Sequence, residues 1–151
     1  MGTLELLEEV SLFADLTIEE LALIAPVAAL KEGKAGDCII QEGECVENIY
    51  ILLSGNASVM KARADGKKIS LDQVGKGDLL GEVTFFKNTP ASATVQATVP
   101  FKALEFNQKD FHRLLDGNPP LGLKIYKKFS RVLSMRIKKR LAQLVEYLPA
   151  E

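Results

Sequence analysis

Eight glycines punctuate the chain between residues 27 and 106 and divide it into short apolar stretches. Many short strands joined by tight turns are typical of a β-barrel or jelly roll. Residues 49–53 are almost continuously apolar, as expected of a strand buried in a barrel. Asp65-Gly66 separates two strand-like segments and predicts a hairpin with a type I′ turn. The glycines are Gly33, Gly36, Gly43, Gly55, Gly66, Gly75, Gly77 and Gly81.

Helical patterns flank this region on both sides. Thr17 and Glu20 have the spacing of a capping box, and we expect short helices within residues 3–26. Asn107 can cap a short helix that ends at Gly117, and an apolar stripe then continues to about residue 148. The prediction is one mainly β domain over residues 1–151, with N-terminal helices at about 3–26, a barrel at about 27–106 and C-terminal helices at about 107–148.

Composition restricts where such a chain can work. With 151 residues, 47% of them hydrophobic and 26% charged, it has the balance of one soluble globular domain. No apolar run approaches the ~20 residues that a membrane span needs. Residues 1–9 carry acidic charge, where a signal peptide would carry basic charge. We therefore expect a cytoplasmic protein with no membrane partner.

Charge is distributed unevenly along the chain. Residues 119–147 contain eight basic residues and one acidic residue. The whole chain has 19 basic and 20 acidic residues, so the rest of the chain has 11 basic and 19 acidic residues. The net charge is therefore +7 for residues 119–147 and −8 for the remainder. Such asymmetry can indicate a nucleic acid or an acidic surface as partner. The interpretation we favour is a solvated helix face whose charge offsets that of its own domain.

Two neighbouring segments contain the residue types of an anion site. Residues 77–82 read Gly-Asp-Leu-Leu-Gly-Glu, and residues 90–95 read Pro-Ala-Ser-Ala-Thr-Val. Backbone N–H groups at a helix start attract a phosphate, and glycine lets the backbone approach it closely. The Glu82 carboxylate would repel a phosphate, but it can accept a hydrogen bond from a ribose hydroxyl.

In order and spacing, these segments resemble the phosphate-binding cassette of the cyclic-nucleotide-binding domain family. Residues 41–44 and 49–55 also resemble the early turn and the buried strand of that family. The resemblance covers almost the whole chain. It implies a β-roll or jelly-roll barrel with short N-terminal helices and a long C-terminal helix, and a ligand held in the cassette, residues 81–95.

The resemblance also implies roles for individual residues. Gly81 and Glu82 fall on the ribose-binding pair, and Ser92 falls on a position that reaches a phosphate oxygen. Ala91 falls on the family's arginine, where it offers a backbone amide but no charge. The positions that cover the base fall near Arg136 and Ile137. Other cations that could replace the arginine are Lys87, Lys102, Arg131 and Arg136. The candidate binding residues are Gly81, Glu82, Val83, Thr84, Ala91, Ser92 and Ala93.

Three classes of function fit this fold. Metal cupins need several histidines that point into the barrel, whereas this chain has only His112, which we expect on the surface. Relatives of the catabolite activator protein carry a helix-turn-helix after the long helix, but this sequence stops at Glu151. We therefore expect no direct DNA binding, unless the chain is an effector-domain fragment of a transcription factor. The third class is a free-standing sensor or interaction module.

The function that we predict is a non-enzymatic regulatory module that needs no cofactor. It would bind cyclic AMP or cyclic GMP weakly, or another small anion, and signal through a shift of the C-terminal helix. We also expect a homodimer through that helix, because an exposed apolar stripe marks an interface. The alternative is a degenerate domain that serves only as a dimerisation or docking scaffold.

Overall fold

The computed structural model describes residues 2–148, and its eight strands form two antiparallel sheets. The strands are β1 (Ala28–Gly33), β2 (Cys38–Ile40), β3 (Asn48–Ser54), β4 (Ala57–Ala62), β5 (Lys68–Val74), β6 (Leu79–Leu80), β7 (Thr94–Ala97) and β8 (Phe101–Asn107). One sheet has the order β1-β8-β3-β6 and the other β2-β7-β4-β5. The predicted fold, a β-roll barrel with flanking helices, is confirmed.

Helices precede and follow the barrel, as predicted. They are α1 (Thr3–Glu8), α2 (Ile18–Ile24), α3 (Glu82–Phe86), α4 (Gln108–Gly117) and α5 (Pro119–Tyr147), with 3-10 turns at Ser11–Phe13 and Ala25–Val27. The capping box that starts α2 is formed, because Thr17 Oγ1 accepts from the Glu20 N–H at 3.1 Å and Glu20 Oε1 accepts from the Thr17 N–H at 3.0 Å. Asn107 Oδ1 caps α4 by accepting from the Asp110 N–H at 3.1 Å.

The hairpin at Asp65-Gly66 is present, but the predicted type I′ turn is wrong. Strands β4 and β5 pair with Ala62 opposite Lys68, which leaves five residues in the loop. A type I′ turn needs positive φ at both central residues, and in residues 2–148 only glycines have positive φ. Gly66 has φ +84°, and its N–H donates to the Arg63 carbonyl at 3.0 Å. The longer loop therefore needs the left-handed conformation at Gly66 but not at Asp65.

Strand β3 lies between two apolar cores, which explains its nearly continuous apolar sequence. Ile49 and Ile51 belong to the core that packs the helices against the outside of the barrel. Tyr50 and Leu52 belong to the second core, between the two sheets. Since successive side chains of a strand point to opposite faces, burial on both faces removes the usual polar alternation.

The apolar stripe of α5 is buried only in its first half. Leu121, Ile125 and Phe129 are fully buried in the outer core. In the second half Leu141 is 59% exposed and Val145 is 69% exposed. The helix therefore continues beyond the surface that covers its beginning, and leaves an apolar face uncovered.

Basic residues of α5 pair with acidic residues of the barrel and the N-terminal region, which agrees with a helix face whose charge offsets that of its own domain. Lys124 Nζ lies 2.6 Å from Glu20, Lys128 Nζ lies 2.9 Å from Asp15, and Lys139 Nζ lies 3.0 Å from Asp72. Arg136 and Arg140 add contacts that are described below. Within the described range, no helix combines the length and apolarity that a membrane crossing requires.

Candidate functional site

Gly81 opens the cassette and begins α3 in a left-handed conformation, with φ +84°. A Cβ there would lie 3.1 Å from the Asn48 carbonyl oxygen, so both the dihedral angle and the close approach favour glycine. The Thr84 hydroxyl donates to the Gly81 carbonyl at 2.9 Å and accepts from the Gln108 side-chain amide at 2.8 Å. Thr84 therefore fixes the cassette turn to the start of α4.

One cavity of about 640 Å³ lies between the barrel and α5, and all seven candidate residues line it. Arg136 and Ile137, which the resemblance placed near the base, line it from α5. The rest of the lining is mostly aliphatic and comes from both sides: Ile40, Val46, Val59, Lys61, Leu71, Asp72, Val74, Leu80, Val95, Leu133, Arg140, Leu141 and Leu144. The cavity can therefore accept an apolar body together with a small number of polar groups.

Glu82 joins the cassette to α5. Its side chain is only 12% exposed, and its Oε1 accepts a hydrogen bond from Arg136 Nη1. Nη2 of the same guanidinium group donates to the Leu79 carbonyl. Hydrogen bonds between charged groups are stronger than neutral ones, so this contact holds the middle of α5 against the cassette.

Asp72 on β5 forms a second attachment for α5. It accepts from Lys139 Nζ at 3.0 Å and lies 3.7 Å from Arg140, whose Nη1 also donates to the Leu71 carbonyl at 2.6 Å. Partial burial acts to raise the pKa of Asp72. The hydrogen bonds from Lys139 and the Gln73 N–H and the charges of Lys139 and Arg140 outweigh it, so the pKa lies below its usual value.

The backbone amide of Ala91 is not free for a ligand, contrary to the sequence-based expectation. It donates to the Glu44 carbonyl at 2.9 Å, and the Ala91 carbonyl accepts from the Gly43 N–H at 2.8 Å. The loop that contains Gly43 and Glu44 therefore holds residue 91 in place. Ala91 lines the cavity but is itself buried, and it brings no charged side chain to the cavity.

Only one of the four proposed replacement cations, Arg136, lines the cavity. Lys87, Lys102 and Arg131 are outside its lining, and Lys102 lies 3.7 Å from Glu32. Sequence reasoning missed Lys61, which reaches the cavity from β4. Its position depends on the register between β4 and β7, in which Met60 lies opposite Thr94, and no local sequence signal gives that register.

His112 is half-buried, so the expected surface position is wrong. Its ring stacks on Phe85 of α3, with centroids 4.0 Å apart. Nε2 lies 2.8 Å from the Phe85 carbonyl oxygen, and Nδ1 lies 3.3 Å from the Tyr126 hydroxyl. Because a carbonyl only accepts, Nε2 carries a proton, and Nδ1 pairs with the Tyr126 hydroxyl. His112 thus connects α3, α4 and α5.

Residues 2–148 contain no group of three or more His, Cys, Asp and Glu side chains arranged to hold a metal ion.

The chain is similar in sequence to a family of known proteins. The sequence model of the cyclic nucleotide-binding domain family matches residues 30–118. The chain is 33% identical over 109 residues to a cAMP-dependent protein kinase regulatory subunit of Blastocladiella emersonii, an alignment that covers 72% of this chain and 27% of the relative. The chain thus spans about a quarter of that relative's length.

Solved structures show the same fold. A cyclic nucleotide-binding domain from Methylobacillus flagellatus aligns with a TM-score of 0.85 at 21% identity, over 99% of this chain and 84% of that one. The regulatory subunit of a cAMP-independent protein kinase A from Trypanosoma brucei aligns with a TM-score of 0.68 at 26% identity, over 87% of this chain and 49% of that one. With the barrel, the cassette and the family match in agreement, this chain belongs to the cyclic nucleotide-binding domain family.

Proposed function

We propose that this domain is a non-catalytic regulatory module whose cavity receives a small anionic ligand and whose helix α5 responds to occupancy. The contact between Arg136 on α5 and Glu82 in the cassette carries the proposal. Glu82 is the residue that the family resemblance assigns to the ribose. A ribose hydroxyl at Glu82 competes with Arg136 for the same carboxylate, so the ligand binds more tightly when α5 has moved away.

Cyclic AMP and cyclic GMP are weak ligands in this proposal, because Ala91 supplies no charge to their phosphate. The trypanosomal regulatory subunit supports this view. It is described as cAMP-independent, and a variant with three substitutions, one of which introduces an arginine, was solved with cAMP bound. For the present chain we expect dissociation constants from high micromolar to millimolar for both nucleotides.

Hydrogen–deuterium exchange over residues 133–144 tests the coupling between the ligand and α5. Millimolar cyclic AMP should increase exchange there, since it weakens the Arg136 contact. In the Arg136→Gln variant, exchange should already be increased without nucleotide, and addition of nucleotide should increase it little further. Arg131→Gln is the matched control, because Arg131 lies on the same helix but outside the cavity lining. Occupancy measured by calorimetry with no change in exchange would contradict the proposed response.

The uncovered half of α5 favours a homodimer as the working form. Leu141, Leu144, Val145 and Leu148 are all more than half exposed and form an apolar patch. Pairing of two such helices would bury this patch. It would also place the partner next to the cavity, because Leu141 and Leu144 line it. The scaffold alternative, dimerisation without a ligand, rests on the same patch.

Sedimentation velocity at micromolar concentration should show a dimer of this chain. The double substitution Leu141→Glu with Val145→Glu should shift it to a monomer, because two carboxylates from each chain would be desolvated in the interface. Leu30→Glu is the control, since Leu30 is an exposed leucine on β1. If the unmodified chain sediments as a monomer at high micromolar concentration, the proposed dimer is refuted.

A further inference from the structure

The described residues that line the cavity carry one more positive than negative charge. Its lining contains three basic residues (Lys61, Arg136 and Arg140) and two acidic ones (Glu82 and Asp72). Arg136 is paired with Glu82, and Arg140 lies beside Asp72. The nearest carboxylate to Lys61 is Glu42, which lies outside the cavity lining, with an N–O distance of 3.9 Å. Lys61 is thus the lining cation that a bound anion can approach without displacing a carboxylate of the cavity.

Lys61 also lies where the cassette would bind an anion. Its Nζ donates to the carbonyl of Ser92, the residue that follows Ala91, at 2.7 Å. An ammonium group has three donors, so this bond leaves others for a ligand. Its side chain is 53% exposed and has room to reorient. The Ser92 hydroxyl can donate to the same anion.

We propose that Lys61 holds the anionic group of the ligand, in place of an arginine at position 91, and that the ligand is an organic anion with a large aliphatic or otherwise apolar body. The inference rests on the proposed function, because it requires a ligand in this cavity. The cavity that Lys61 lines is mainly aliphatic on both sides, with Val59 and Val95 from the barrel and Leu133, Ile137 and Leu141 from α5. Among the side chains that the structure describes, none in this lining is aromatic, so none of them offers a surface on which a nucleobase would stack.

Octanoate and 1-octanol are a matched pair of probes for this assignment, because they have chains of the same length and differ in charge. Calorimetry should show that octanoate binds more tightly. Lys61→Gln should weaken the binding of octanoate about tenfold, because one hydrogen bond to a charged group is lost. The same substitution should change the affinity for octanol less than about twofold. Lys102→Gln is the control, since Lys102 is an exposed lysine outside the cavity lining. Thermal melting would verify that both variants are folded.

The outcomes separate this inference from the proposed function. If Lys61→Gln weakens the binding of octanoate and octanol equally, or weakens neither, the assignment of Lys61 is overturned. If cyclic AMP binds and Lys61→Gln does not change its affinity, the sensor function stands and Lys61 is not the anchor. If neither the nucleotides nor octanoate bind at millimolar concentration, ligand sensing itself is refuted and the assignment of Lys61 fails with it.

Discussion

Replacement of Ala91 by arginine should increase the affinity for cyclic AMP about a hundredfold. Ala91 lines the cavity beside Ser92, so a longer side chain at that position can reach the space that a ligand would occupy. An arginine there can donate two hydrogen bonds to the phosphate. Each bond to a charged group contributes roughly 1.5–3 kcal/mol, and 1.4 kcal/mol corresponds to a factor of about ten in affinity. Calorimetry with cyclic AMP and cyclic GMP measures the gain.

Ala91→Met separates charge from size, because methionine is long but neutral. It should leave nucleotide affinity low, whereas Ala91→Arg raises it. If folded Ala91→Arg protein gains less than about threefold, the missing arginine is not what limits nucleotide binding. The aliphatic lining contributed by α5 would then be the cause.

Substitution of Phe129 by alanine should be the most destabilising of the changes considered. Phe129 is fully buried, and its ring lies 5.5 Å from Phe85 and 6.3 Å from Phe111, centroid to centroid. Phe129 therefore packs α5 against two helices, α3 and α4. Removal of a buried phenylalanine ring costs about 3–5 kcal/mol. For a chain of this size, the midpoint of thermal unfolding should fall on the order of 10 °C.

Leu123→Ala is the control for Phe129→Ala. Leu123 lies on the same helix but is largely exposed, so we expect a change within about 0.5 kcal/mol. Chemical denaturation of both variants measures the difference in the free energy of unfolding. A loss below about 1 kcal/mol for Phe129→Ala would mean that the aromatic cluster does not fix the beginning of α5.

The family resemblance predicted the fold and the approach of Arg136 to the site, whereas the residues taken by themselves predict only features that are encoded locally. The capping box at Thr17 and Glu20 needs only residues of one helix turn, and the cassette candidates are close in sequence on two adjoining segments. Lys61 could not be found in this way, because it reaches Ser92 only through the pairing of β4 with β7. The amide of Ala91 is occupied by a carbonyl 47 positions earlier in the chain, which no local pattern indicates.

The position of the long helix was similarly only half predictable. The stripe from Leu121 to Leu148 repeats evenly, yet its first half is buried and its second half is exposed. Periodicity identifies the apolar side of a helix but not the length of the surface that it meets. The hairpin turn shows the same limit, because Asp-Gly is compatible with several loop lengths and strand pairing selects one of them.

The chain contains a single histidine, and each of its ring nitrogens has one hydrogen-bond partner, which makes it a natural spectroscopic reporter. In ¹⁵N-labelled protein, the single imidazole ring gives one pair of nitrogen signals. These signals can be identified without assignment of the backbone and without an attached probe. The protonated Nε2 reports on the carbonyl of Phe85 in α3, and Nδ1 reports on the Tyr126 hydroxyl of α5. Separation of α5 from the cassette would shift the second signal more than the first, so the two resonances together indicate which contact has broken.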